Sequence, residues 1–304
     1  MTGNANRDMA PDVGGYRGAS VPAHSAHVWS RILRDRIFKA GVILLSAVSL
    51  LPLLLILIHI TRNGISVIDW RFLTSLPKPV GETGGGISNA IVGTAILIAL
   101  SCAFALPLGI GTGIFLSEYR KARLSYFVRL SVDVLQGIPS IVIGIIAYAW
   151  VVLRMGGFSA LSGGVALGIM MLPVVIKSTE ETLKLIPDTL REASLALGVP
   201  YHRTVLKVIL PAGLGGIMTG ILVSVARIAG ETAPLLFTAF GSPYMNANIL
   251  KPINSLPLVV FNYATSPYPD WHSLAWGASF VLVVLVLCLN LAAKLVTRKW
   301  KVRF

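Results

Sequence analysis

The amino-acid sequence predicts an all-α polytopic membrane protein with six transmembrane helices, and three observations carry that reading. Charged residues make up 13% of the 304 residues and hydrophobic ones 55%, against about 25% charged in soluble chains. The apolar residues fall into uncharged blocks of roughly the 20 residues that a helix needs to cross ~30 Å of hydrocarbon. When these blocks alternate across a membrane, twenty of the 26 Lys and Arg lie on the side holding both termini and five on the other. Positive residues are retained on cytoplasmic loops, so both termini are expected inside. The same sorting explains the excess of basic over acidic residues without a nucleic-acid partner, and the composition excludes an ordinary cytosolic enzyme.

In chain order, residues 1–36 are expected to form a flexible cytoplasmic tail and 37–304 the membrane domain. The first 27 residues are rich in Gly, Ala, Ser and Pro and lack apolar periodicity. His24 and His27 have a spacing that suits one helical face, but Pro22 and the small residues favour disorder, so no metal site is expected there. The first apolar block begins only near Ala40, which argues against a cleaved signal peptide. The predicted spans are 40–60, 87–116, 134–153, 155–176, 208–226 and 272–293. Arg154, Gly156 and Gly157 mark a tight reversal between the third and fourth. Segment 232–250 carries Pro234, Gly241, Pro243, Asn246 and Asn248, which would leave broken backbone facing lipid. It reads as the end of helix five running into an outer loop. Counting five or seven spans destroys the charge asymmetry. Trp70, Trp271 and Trp300 near span ends fit an aromatic belt.

No Gly-x-x-x-x-Gly-Lys-Ser/Thr run occurs, and the glycines at 84–86 are followed by Ile87 and Ser88 rather than by a phosphate-reaching Lys. No zinc-binding His/Glu pair, nucleophile elbow or catalytic carboxylate pair is visible, and Cys102 and Cys288 lie inside apolar blocks. The chain is therefore not expected to be an enzyme. If it drives uphill transport, the energy must enter from a partner or an ion gradient.

The longest inner segment, 184–207, is punctuated as a helix-turn-helix. Pro187 and Asp188 can start a helix, with the Asp side chain capping free N–H groups. Leu190, Ala193, Ala196 and Leu197 give a small apolar face. Gly198 can take the left-handed conformation that closes it, and Pro200 prevents continuation. A second short helix is expected at 201–208, leading into span five with Pro211 near its start. Glu192-Ala193-Ser194, Gly198 and Val208-x-Leu210-Pro211 together resemble the EAA motif of ATP-binding-cassette importer permeases, with Ser for the second Ala and Val for the usual Ile. This resemblance implies the type I importer permease fold. It also implies that coupling helices at about 187–207 dock in a groove on an ATPase subunit. Small Ala193 and Ser194 permit close approach, Glu192 offers an ionic contact, and Gly198 turns the chain back toward the membrane.

Arg227 and Glu231, four residues apart in the fifth apolar region, can pair on one helical face. Either charge alone at depth costs roughly 2.5 to 3.5 kcal/mol, so such groups face a bundle interior or an aqueous path. Pro234 lacks the N–H that would bond the Gly230 carbonyl, which weakens the backbone beside the pair. Two readings stand: an ion pair locking span five to a neighbour, or anion passage. In the second, the guanidinium fork meets a tetrahedral oxyanion and Glu231 accepts a hydrogen bond from a protonated one. Phosphate carries such a proton at neutral pH, and sulfate does not.

The segment Ala226-Arg227-Ile228-Ala229-Gly230-Glu231-Thr232-Ala233-Pro234-Leu235-Leu236-Phe237-Thr238-Ala239 resembles the signature of the phosphate-specific importer's permeases, especially the A-type subunit. Residues 84–94 and Gly137-Ile138-Pro139-Ser140-Ile141-Val142-Ile143-Gly144 are similar to that family too. The resemblance implies that Arg227 and Glu231 lie on the phosphate pathway, and it marks Lys177, where the family often shows Arg. Lys177 with Glu181, and Glu180 with Lys184, also read as helix-surface pairs, and Asp133, four residues after Arg129, as an interfacial partner. The implied setting is the inner membrane of a prokaryote. The implied partners are a C-type permease subunit, an ATPase dimer and a soluble extracytoplasmic phosphate-binding protein, with ATP and Mg held by the ATPase and no cofactor in this chain. A permease for molybdate, sulfate or another oxyanion, a gradient-driven secondary transporter, and a membrane scaffold are the rival readings.

Overall fold

The computed structural model describes residues 25–82 and 84–299. Contacts divide the chain into two units, one ending at Leu57 and the other starting at Ile58. The boundary falls inside the first helix, α1 (Ser25–Gly64). In the first unit, Arg31, Arg34, Arg36 and Lys39 precede a run that is apolar from Ala40, and Lys39 bonds Asp35 at 2.8 Å one turn back. Residues 25–36, expected as tail, are thus helical. Their Ile, Leu and Arg residues are good helix formers. The remainder of the expected tail, with His24, lies outside the described residues, as does Trp300.

In the second unit, α2 (Trp70–Thr74) starts at Asp69, whose carboxylate accepts from Phe72 N at 2.6 Å. The long spans are α3 (Ser88–Glu118), α7 (Ala160–Lys184) and α13 (Pro269–Lys299). The predicted third span is not one helix. Helix α4 (Arg123–Gly137) and the segment Ser140–Met155 meet at 105°. Pro139 is the physical cause, since it pushes Ile138 out of the helical region and supplies no N–H. The second arm is α5 (Ser140–Ala147), a π-helical turn (Tyr148–Val152) and the single turn α6 (Leu153–Met155). It ends at Gly156 with φ +73°, the expected reversal. Among the described residues, five helices are long and apolar enough to cross a membrane, six if the bent pair counts as one span.

Span five runs unbroken from α9 (Tyr201–Thr204) through a second π-helical turn (Val205–Ile209) into α10 (Leu210–Ile228). The second coupling helix expected at 201–208 is thus the first turns of the span itself. Helix α8 (Asp188–Ala196) stands between α7 and α9. After α10 the chain does not pass straight into a loop, and only 240–250 is irregular and mostly exposed, as expected of a loop. Residues 229–232 turn, and the short α11 (Ala233–Thr238) follows with Pro234, Leu235 and Thr238 buried. Helix α12 (Leu256–Ala264) is also inside, its Leu256, Leu258 and Val259 fully covered.

Helices in lipid associate through close packing at small residues rather than through hydrophobic burial. Three small-residue seams do this. A Cβ on Gly109 or Gly113 of α3 would stand 2.7 Å from Val175 or 2.5 Å from Thr179 of α7. A Cβ on Gly164 or Gly168 of α7 would stand 2.6 Å from Leu100 or 2.7 Å from Phe104 of α3. Both pairings climb together along the two helices, so α3 and α7 run parallel. Gly213, Gly216 and Gly220 of α10 meet Leu183, Thr182 and Ser178 in falling order, so α10 runs antiparallel to α7. These directions agree with the alternation that the charge count requires. The main core, with Leu97, Leu167, Met171, Ile217 and Leu235, lies along the seams.

Candidate functional site

The predicted signature segment splits between two elements. Arg227 occupies the last turn of α10, where a cation complements the helix dipole, while Glu231 lies past the helix end. The two charges are not one turn apart on a continuous helix, as expected. Arg227 Nε stands 3.9 Å from Glu231 Oε1, the outer limit of an ion pair, with the Arg side chain 49% exposed and the Glu 22%. Among the described residues the Arg227 guanidinium makes no hydrogen bond. The break is not caused by Pro234, which sits at the second position of α11, where its missing N–H costs nothing. It falls earlier, where Gly230 N bonds Arg227 O at 3.3 Å and Glu231 N bonds Ile228 O at 3.2 Å.

Two of the motifs that resemble the phosphate family pack on each other. A Cβ on Gly144 of α5 would lie 2.7 Å from Pro234 Cα, so glycine is what lets α11 seat on α5. Thr238 O then accepts from Ser159 N at 3.1 Å and from Ser162 Oγ at 2.8 Å, tying α11 to the start of α7. The third motif is a seat for α3. Gly86 approaches so closely that a Cβ would stand 2.3 Å from Ser75 O, and Ser88 Oγ donates to the same carbonyl at 2.8 Å.

Lys177 is not brought to the Arg227–Glu231 pair. The α7–α10 register sets Ser178 beside Gly220, and seven further residues at 1.5 Å each put Arg227 about 10 Å beyond along the axis. Lys177 Nζ instead bonds Asp133 of α4 at 2.6 Å. Glu180 is no surface residue. It is buried, and its Oε1 accepts from Arg129 Nε at 2.7 Å and from Lys184 Nζ at 2.5 Å. Of the two surface pairs predicted on α7, Glu180 with Lys184 forms, and Lys177 with Glu181 gives way to a link from α4 to α7, because the 105° bend lays α4 against the C-terminal end of α7. These groups line a small cleft of about 150 Å³. Glu180→Gln keeps the shape but removes the shared anion. With both cations about one third exposed, the loss is discounted to about 1 to 2 kcal/mol. A lower thermal midpoint of the detergent-solubilised complex is the expected readout.

After α8, Gly198 takes φ +76° as expected. Asp188 does not cap its own helix and bonds Arg191 Nη1 at 2.5 Å instead. Glu192 and Ala193 are exposed, while Ser194 is buried with its Oγ 2.9 Å from Thr204 Oγ1. Leu190 turns inward onto the main core. Leu185 and Leu197 are both 83% exposed, flanking α8. Pro211 lies in the first turn of α10, after the π-helical turn. Sequence reasoning missed Glu118, the last residue of α3, which is 5% exposed and bonds Arg191 Nη2 at 2.8 Å. A lone acid closing an apolar helix was the available signal. Among the described residues no group of three or more His, Cys, Asp or Glu could hold a metal ion.

Comparison with known proteins supplies the lineage. The family model for the binding-protein-dependent transport system inner membrane component matches residues 105–302. The chain is 42% identical over 250 residues to the phosphate transport system permease protein PstA of Yersinia pestis, covering 82% of this chain and 85% of that one. It is 44% identical over 234 residues to the PstA of Xylella fastidiosa strain Temecula1 (76% and 81%). To the probable PstA of Methanocaldococcus jannaschii it is 35% identical over 264 residues (86% and 93%). Among solved structures it is similar to the inward-facing MetNI methionine ABC transporter, with TM-score 0.58 and 21% identity over 71% of this chain and 95% of that one. An amino acid ABC transporter gives TM-score 0.53 at 15% identity over 70% and 93%. These two establish the importer permease fold and no more. The chain therefore belongs to the family of binding-protein-dependent transport system inner membrane components, and within it to the PstA permeases.

Proposed function

We propose that this chain is the A-type permease subunit of an ATP-driven importer that carries inorganic phosphate inward. The observation that carries the reading is identity of 42% and 44%, over 82% and 76% of the chain, to phosphate transport system permeases. The geometry of Arg227 supports it. A half-exposed guanidinium with one loose ionic contact cannot face acyl chains at low cost. It is suited to a passage lined by protein and water, where its fork receives two oxygens of the anion. Glu231 accepts a hydrogen bond from the hydroxyl of hydrogen phosphate, and Lys177, held by Asp133, stands lower on the same route.

The chain performs no covalent chemistry. A C-type permease completes the passage, an ATPase dimer with Mg and ATP supplies the work, and a soluble extracytoplasmic phosphate-binding protein delivers the ion. Both termini are cytoplasmic by the charge sorting. The ATPase docks on α8, where Glu192 offers an ionic contact, Ala193 allows close approach, and Ser194, Gly198 and Pro211 shape the segment. Closure of the ATPases moves the coupling helix as a rigid body and opens the passage to one face at a time.

The deciding experiment is ATP hydrolysis by the reconstituted complex with its binding protein. Phosphate is expected to stimulate hydrolysis, and molybdate and sulfate are not. Stimulation by one of those anions alone would assign a different oxyanion. Docking has its own check: Leu197→Asp places a carboxylate on the exposed apolar flank of α8, and loss of ATPase co-purification from a chain still in the membrane is expected.

A further inference from the structure

We propose that Glu118, Arg191 and Tyr201 form a strut that transmits movement of α8 into the membrane helices, each acting as a positioning residue for transport. The inference rests on the permease reading above. Glu118 ends α3, Arg191 lies in the middle of α8, and Tyr201 opens the run that becomes α10. One carboxylate joins all three. Its Oε1 accepts from Arg191 Nη2 at 2.8 Å, and its Oε2 accepts from the Tyr201 hydroxyl. The side chains of Glu118 and Arg191 are 5% and 11% exposed, so water does not compete for the pair. Arg191 Nε is fully buried without a hydrogen-bond partner, a cost that persists because the remaining contacts fix the guanidinium in place.

The mechanical argument follows from what else holds α8. It is joined to α7 through Pro187 and to α9 through Gly198, Val199 and Pro200. A left-handed glycine linker bends under load, so a force applied to the outer face of α8 would be absorbed there. Beyond the linkers, Leu190 packs on the main core and the Ser194–Thr204 hydroxyl contact ties α8 to α9, and among the described residues no hydrogen bond other than that of Arg191 joins α8 to α3. Charge-assisted bonds to Glu118 close that gap, so α3 and the start of span five move with α8 rather than after it. Asp188 on the same helix takes the other Arg191 nitrogen at 2.5 Å and orients the fork.

The test is made on the complete reconstituted complex with two readouts: labelled phosphate moved per ATP hydrolysed, and hydrogen–deuterium exchange of the α8 amides. Glu118→Gln and Arg191→Met are each expected to lower the transport-to-hydrolysis ratio at least about tenfold, the scale of one lost charge-assisted hydrogen bond. The ATPase should still co-purify in normal amount, hydrolysis should persist, and α8 should exchange faster. The charge-swapped pair Glu118→Arg with Arg191→Glu should recover part of the ratio, which a merely structural role does not predict. Tyr201→Phe removes a single hydroxyl and serves if the charge variants fail to assemble, with a smaller drop expected. A variant complex with an unchanged ratio, or with unchanged exchange in α8, overturns the strut. If the wild-type complex moves no phosphate, the permease reading falls, while the exchange comparison still decides whether α8 is pinned.

Discussion

Arg227→Gln abolishes phosphate uptake by cells that carry it as their only form of this chain, while the complex still assembles in the membrane. Gln preserves length and hydrogen-bonding capacity but loses the charge and the planar fork. Two charge-assisted hydrogen bonds of about 1.5 kcal/mol each correspond to a loss of at least about 100-fold. Arg227→Lys should fall between, since a point charge attracts the anion without binding two oxygens at once. The competing structural role predicts something else. A helix-end cation with a 3.9 Å partner, half exposed, contributes at most about 1 kcal/mol of stability. Its removal would leave uptake intact and the thermal midpoint slightly lower. Uptake by cells normalised to membrane-inserted chain separates the two.

Gly93→Ala prevents α3 from seating against the segment before α12. A Cβ at Gly93 would stand 1.9 Å from the carbonyl oxygen of Asn254. The obstacle is backbone, and that backbone is held on both sides: Ile253 before it bridges to Phe240, and after it Thr94 Oγ1 accepts from Leu256 N at 2.9 Å. Overpacking of this kind costs typically about 1 to 3 kcal/mol and more where nothing can yield. The control is Gly111→Ala on the same helix, where a Cβ meets nothing within 4 Å. Ala gains about 0.5 to 1 kcal/mol of helix propensity over Gly, so Gly111→Ala should be neutral or stabilising. Thermal midpoints and protease resistance of the two purified variants check the pair; equal behaviour would mean that this close approach does not form.

The spans were legible because lipid imposes a length and a charge rule that a single sequence displays directly. The reversal at Gly156 and the left-handed turn at Gly198 were legible for a local reason, since glycine punctuation acts within a few residues. Three features were not. The 105° bend needs Pro139, visible in the sequence, but what α4 then packs against depends on the inner end of α7, forty residues away. The interior course of α11 was hidden because broken backbone reads as an outer loop until a neighbour such as Gly144 is known to cover it. The charge pairing was misread for the same reason. Neighbour rules within a helix favour Lys177 with Glu181, whereas the chain joins Lys177 to Asp133 and Arg129 to Glu180 across elements. Glu118 shows the limit most clearly, since its two partners lie 73 and 83 residues further along.

Proteoliposomes holding the full complex, with the binding protein and labelled phosphate outside, test most directly whether an external ATPase drives phosphate through this chain. Accumulation is predicted when ATP and Mg are supplied to the face that carries α8, and not when a proton or sodium gradient is imposed without nucleotide. Accumulation under a gradient alone, with ATP making no difference, would contradict the account.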